Sequence, residues 1–318
     1  MGTKGQWIAA GGAVATAVAL ALSGVRWRGS GQGATPARPV SATAPGQTPT
    51  GQTPKGWITT NGALTVGGIA RRYLLVRPAA PSKTALPVVM VLHGRNATPE
   101  IEEQRTGLRA IAGPAILVYP AGYQESWNAG ACCAGAHAAG VDDVAFLDAV
   151  VHRVLTSQHD AAAGRVFLVG FSNGGKMAFR LACAEPHVFH AVAIVGAVPV
   201  SACEHPPAVP FAELAFDDDP LLTLTPAQPH KAVNGFPQPS IEEEAAALRA
   251  ANACRGDGRQ EVQGTLTVTR WTDCQTGKAV ELGVYHGDTH VWPAGDAVTP
   301  PAQQVIWTFF RSITEDHR

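Results

Sequence analysis

From residue 70 onward the hydrophobic positions fall into short apolar runs separated by stretches with helical spacing. Arg71 to Val76, Pro87 to Leu92 and Ala115 to Tyr119 are β-rich runs, and Glu100 to Ala112 between the last two predicts a weak helix. In Asp142 to Gln158 the residues Val144, Leu147, Val151 and Leu155 share one helical face, and two acids stand at the start, where the helix dipole favours negative charge. Arg165 to Val169 predicts a strand that runs through a glycine-rich turn into the helical pattern Lys176 to Ala184. Ala191 to Val195 and Phe211 to Phe216 predict further strands. Ser240, with Glu243 three residues on, is a capping box opening a helix over Ile241 to Ala251. Thr265 to Thr272 and Val280 to Tyr285 read as strands and Ala302 to Ile313 as a closing helix. This alternation predicts an α/β fold, a mainly parallel sheet with helices on both faces, whose catalytic groups collect beyond the carboxyl ends of the strands.

The N-terminal part follows other rules. Lys4 and the apolar run Ile8 to Val25 have the pattern of an export signal, with a small-residue cleavage site at Ala19-Leu20-Ala21, or of a retained membrane anchor backed by Arg26 and Arg28. Residues 1–28 are assigned to that segment. Residues 29–56 are rich in Pro, Gly, Thr and Gln, bury too little apolar surface to fold, and predict a mobile linker. Residues 57–318 are left as one catalytic domain. With 46% hydrophobic and 15% charged residues the whole sequence has the apolar content for one large core. A net charge of -1 without a dense basic cluster excludes nucleic acid as a natural partner. Six cysteines in an apparently exported chain favour disulfides. Cys254 with Cys274 is the expected pair, since the turn and strand between them fold back as a hairpin. Adjacent Cys132 and Cys133 lack zinc-site spacing.

Candidate chemistry centres on Gly170-Phe171-Ser172-Asn173-Gly174. Two glycines let strand and helix pass closely and leave Ser172 exposed at the apex as a nucleophile. A serine needs a base, and the base an orienting acid. His290, between the last strand and the last helix, is the expected base, with His286 its nearest competitor. After Phe211 to Phe216 stand Asp217, Asp218 and Asp219. Asp219, before Pro220, is preferred as the acid; Asp217 and Asp218 compete, and Asp288 is more distant. The backbone N–H groups of Asn173 and of Arg95, in Leu92-His93-Gly94-Arg95-Asn96, are the expected oxyanion donors. The Arg95 side chain narrows the acyl end of the pocket or offers charge to an acidic substrate. Trp127 and Trp292 read equally as substrate walls or as packing residues, and Asp142-Asp143 as a helix cap. Neither a metal nor an organic cofactor is implied.

Together these motifs resemble the secreted polyhydroxybutyrate-depolymerase/feruloyl-esterase-like family of α/β-hydrolases. The likeness runs from about Arg71 to Arg311 and rests on Tyr73 to Pro78, Leu92-His93-Gly94, Trp127 to Cys133, Gly140 to Leu147, Gly170 to Gly174, Arg180 to Cys183 and His290 to Pro293. It implies an α/β-hydrolase fold and hydrolysis of carboxylic esters, of short-acyl, hydroxybutyrate-oligomer or feruloyl type, with Ser172, Asp219 and His290 as the triad. Two departures bear on substrate range. The family's usual His-Gly-x-x-Asp-Pro run is Ala215-Phe216-Asp217-Asp218-Asp219-Pro220 here, and Arg95-Asn96 replace small residues after Gly94. Weak attack on solid polymer is expected, because no polymer-binding module follows the catalytic region. A peptidase or acyltransferase on the same fold, and a non-catalytic surface protein binding acyl or glycan ligands, are the competing readings.

Overall fold

The computed structural model describes residues 56–275 and 278–315. The expected signal or anchor at 1–28 and the linker at 29–56, apart from Gly56, lie outside those residues. Among the described residues no helix is long and apolar enough to cross a membrane.

The described chain opens with an antiparallel hairpin, β1 (Trp57–Val66) and β2 (Ile69–Pro78). Gly67 and Gly68 make its two-residue turn at φ 58° and 79°, values that favour glycine at both positions. The apolar pattern does not predict β1, an edge strand whose residues are at most half-buried; the Gly-Gly step was the available signal. There follow β3 (Leu86–Leu92), α1 (Pro99–Thr106), α2 (Leu108–Ile111), β4 (Ile116–Pro120), α3 (Ala134–Ala138), α4 (Asp143–Ser157) and β5 (Ala161–Phe171). The second half comprises α5 (Asn173–Ala184), β6 (Ala191–Val195), β7 (Phe211–Phe216) and a small hairpin, β8 (Ala232–Val233) and β9 (Phe236–Pro237). It ends with α6 (Ile241–Ala251), β10 (Arg259–Gln263), β11 (Leu266–Trp271), β12 (Val280–Tyr285) and α7 (Ala302–Glu315). The helix expected over residues 100–112 is two pieces. Gly107, in the left-handed region at φ 56°, ends α1 and donates to the Glu103 carbonyl.

Ten strands form one sheet in the order β1-β2-β4-β3-β5-β6-β7-β12-β11-β10. The six from β4 to β12 are parallel, and antiparallel hairpins extend both edges. Strand alternation sends Val88, Met90 and Leu92 into one core layer with α4, α5 and α6, and Val89 and Val91 into the other with α2 and α7. From β3 the chain moves outward to β4 and then returns past β3 to β5. The carboxyl ends of β3 and β5 therefore flank the point where strand order reverses, the place such sheets leave open for ligands.

Disulfides join Cys183 to Cys203 and Cys254 to Cys274, and the Cys132 and Cys133 sulfurs lie in contact. The expected Cys254–Cys274 bridge spans the β10–β11 hairpin. The core also holds a polar pair. Glu213 of β7 is buried with neither carboxylate oxygen hydrogen-bonded, and burial, aided by repulsion from Glu244 of α6, pushes its carboxyl well above the ordinary range. Burial pushes Glu244 up to about 7.

Candidate active site

Ser172 sits between β5 and α5 at φ 53° and ψ −118°, a conformation that a residue with a side chain holds only when its surroundings impose it. The surroundings are glycines. A Cβ on Gly170 would lie 2.5 Å from the Gly174 carbonyl oxygen, and one on Gly174 would run into the carbonyl oxygens of Leu92 and His93. Strand, turn and helix thus cross more closely than side chains allow. The Ser172 N–H donates to the Val195 carbonyl at 2.9 Å, which ties the turn to β6.

The loop after β12 brings His290 Nε2 to 2.7 Å from Ser172 Oγ, and His290 Nδ1 to 2.7 Å from Asp219 Oδ2. The second oxygen of Asp219 accepts from the Leu221 N–H at 2.7 Å. A carboxylate only accepts, so the Nδ1 proton points at Asp219 and Nε2 faces the serine hydroxyl as an acceptor. The imidazole stacks on Phe171, with ring centroids 5.6 Å apart, and meets Phe216 edge-on. Asp217 belongs to a different pair. Its Oδ2 lies 2.9 Å from His286 Nδ1 and its Oδ1 accepts from the Gly287 N–H at 2.8 Å. Desolvation pushes the Asp217 carboxyl upward, but these two bonds outweigh it and hold the group below its ordinary range. The pair is solvent-facing and fastens the loop carrying Asp219 to the loop carrying His290. Asp218 and Asp288 make no bond to His290.

The loop after β3 lies against Ser172: a Cβ on Gly94 would stand 3.1 Å from the Phe171 ring and 3.5 Å from Ser172 Cβ. The Arg95 N–H on this loop and the Asn173 N–H at the start of α5 have no protein acceptor among the described residues. His93 fixes the loop from beneath. Its Nε2 accepts from the Gly122 N–H at 2.8 Å, which leaves the proton on Nδ1 to donate to the Gly94 carbonyl at 2.7 Å. Burial pulls the His93 pKa down to about 4, so the ring stays neutral and this tautomer persists.

Of the two readings of the tryptophans, wall or packing residue, the structure shows inward packing. Trp127 is fully buried and Trp292 is 9% exposed. Trp292 packs on Phe171 and donates to Gln303 Oε1 of α7 at 3.0 Å. Trp127 instead braces the loop after β3 against the start of α5: its indole donates to the His93 carbonyl at 2.9 Å, and its backbone N–H and carbonyl bond the Asn173 side chain at 2.8 and 3.1 Å. The next residue continues the frame. Asn128 N–H donates to Asp143 Oδ2 at 2.7 Å, and Asp143 Oδ1 accepts from Arg71 Nη2 of β2 at 2.7 Å, both side chains buried. Of the two acids read as a helix cap, Asp142 caps α4 and Asp143 turns inward to this network. The buried roles of His93, Arg71 and Asp143 carried no sequence signal beyond their motifs. Lys176, one turn past Ser172, reads in the sequence only as a helical position.

The family model described as Esterase PHB depolymerase matches residues 71–254, more than half of the chain. A protein of Nocardia uniformis subsp. tsuyamanensis named "Putative esterase NocK" is 33% identical over 265 residues, covering 77% of each chain. Feruloyl esterase C of Emericella nidulans is 38% identical over 99 residues, 31% of this chain and 33% of the relative. The solved structure of acetyl xylan esterase from Aspergillus awamori shares the fold, with a TM-score of 0.54 at 13% identity over 79% of this chain and 99% of its own. The chain belongs to the esterase PHB depolymerase family and is a carboxylic ester hydrolase with an α/β-hydrolase fold.

Proposed function

We propose that this protein is an exported serine esterase working through an acyl-enzyme on Ser172. The observation that carries the reading is the relay from Asp219 Oδ2 through His290 to Ser172 Oγ, both links 2.7 Å long. As Oγ attacks the ester carbonyl carbon, His290 Nε2 takes its proton. The negative charge that gathers on the carbonyl oxygen faces the N–H groups of Asn173 and Arg95, and the helix dipole of α5 adds to their pull. The imidazolium, steadied by Asp219, passes the proton to the departing alcohol oxygen as the C–O bond breaks. Water then repeats the sequence on the acyl-enzyme and releases the acid. Export rests on the apolar N-terminal run and on two disulfides that each close a 20-residue separation, bonds that persist in oxidising compartments. Esters of short-acyl, hydroxybutyrate-oligomer or feruloyl type are the substrate range the relatives suggest.

The test is labelling by a fluorophosphonate probe together with hydrolysis of p-nitrophenyl acetate. Wild type labels and turns over; Ser172→Ala takes no label and loses kcat on the order of 10⁶-fold. A Ser172→Ala enzyme as fast as wild type would falsify the mechanism. Transfer of the acyl group to an added alcohol or amine in preference to water would replace hydrolysis by acyl transfer.

A further inference from the structure

Resting on the serine-esterase reading, we infer that Arg95 and Lys176 select esters whose acyl part carries a carboxylate. Lys176 lies in the first turn of α5, its N–H bonded to the Ser172 carbonyl at 3.0 Å, and its side chain is half-buried. Arg95 is exposed on the loop pressed against Ser172. Desolvation is the larger influence and pulls the lysine below its ordinary range, with Asp219 opposing it and Arg95 reinforcing it.

Among the described residues, neither cation makes an ion pair or a side-chain hydrogen bond. This sets them apart from Arg71, Arg72, Arg77, Arg105, Arg109 and Arg270, each paired to a carboxylate. Asp219 does not free them, because its two oxygens are already committed to His290 and the Leu221 N–H. Asp218 is exposed next to it and bonds neither cation. Two cations against one committed carboxylate leave an excess of positive charge around Ser172. Arg95 also carries the expected second oxyanion donor on its backbone, one residue from Gly94, whose Cβ position lies 3.5 Å from Ser172 Cβ. An anionic group a few bonds from the scissile carbonyl would meet both cations, whereas a neutral acyl chain would leave them unpaired.

The experiment compares monomethyl glutarate with its neutral isostere, methyl 5-methylhexanoate, by pH-stat at low salt. Two cations at a partly solvated site give an expected preference of about tenfold in kcat/KM for the charged ester. That preference shrinks several-fold in 0.5 M NaCl (on the order of a 4 Å screening length). Lys176→Met and Arg95→Met each lower the charged-to-neutral ratio by about threefold to fivefold, through a higher KM for the glutarate ester. Equal turnover of the two esters by wild type, or a ratio untouched by Lys176→Met, overturns the inference and leaves the esterase reading intact. Turnover of neither ester while Ser172 still labels with the fluorophosphonate also overturns it. Failure to label Ser172 overturns the esterase reading itself.

Discussion

Gly174→Ala tests whether the closeness of Ser172 to the Leu92 to Arg95 loop is what the turn is for. The new Cβ would stand 2.6 Å from the His93 carbonyl oxygen and closer still to that of Leu92. Ordinary contact begins at 3.4 Å, so α5 and the Leu92 to Arg95 loop must separate by at least about 0.8 Å to clear the His93 oxygen, and by more to clear that of Leu92. Both opposing atoms belong to backbone, and His93 and Trp127 hold that backbone from below, so no side chain can swing aside to absorb the strain. Ser172 and Asn173 lie on one side of the gap and Arg95 on the other. An oxyanion that keeps one donor at about 2.9 Å leaves the second at about 3.7 Å or more, beyond hydrogen-bond range, and loss of one such donor lowers kcat by about 10²- to 10³-fold. Steady-state kinetics on p-nitrophenyl acetate should show that fall with KM little changed, and a melt should show a loss of about 1–3 kcal/mol. Gly164→Ala, where a Cβ meets nothing within 4 Å, is the matched control and should be silent. A Gly174→Ala enzyme with at least half of the wild-type kcat refutes the argument.

Asp219→Asn should cut kcat by about 10⁴-fold, because an amide can hold His290 in the wrong tautomer, whereas Asp217→Asn should cost tenfold or less; a larger effect at Asp217 would move the acid. Glu244 carries a pH signature. Its folded carboxyl sits at about 7 against an ordinary 4.5, so stability is fully present below pH 4.5 and is lost as pH rises through 7. At about 1.4 kcal/mol per pKa unit that is roughly 3 kcal/mol. Urea titrations at pH 5 and 8 should show Glu244→Gln losing much less stability over that interval than wild type, and an unchanged interval would show that the pair is already solvated.

Much of this architecture was legible because its signals are local. The strands Ala191–Val195, Phe211–Phe216 and Val280–Tyr285 are short apolar runs between turns, and Ser240 with Glu243 marks the start of α6 as a sequence pattern. Serine, base and acid were legible as candidates because each follows a strand that the pattern reveals. What escaped depends on surfaces met only in the folded chain. β1 and β10 are polar edge strands without a strong apolar alternation. Trp127 and Trp292 have the composition of a binding wall, and only tertiary packing turns them inward. The choice among Asp217, Asp218 and Asp219 rests on how a loop bends, which three consecutive acids do not encode.

The buried run from Arg71 through Asp143, Asn128 and Trp127 to Asn173 has a consequence for how this enzyme can be cut and altered. The first strand of the parallel block is β3, and a fragment trimmed to begin there would keep Ser172, Asp219 and His290. It would leave Asp143 buried without its cation, a loss of about 3–5 kcal/mol where such pairs have been broken, borne by the segment that holds Asn173. A functional fragment therefore has to start before Arg71. Beyond Leu221, whose N–H holds Asp219, the chain leading to α6 reaches the loop after Trp127 through the bond from Asn234 to the Ala131 carbonyl, so exchanging residues 226–237 offers a route to new specificity with the contacts among Asp219, His290 and Ser172 left in place.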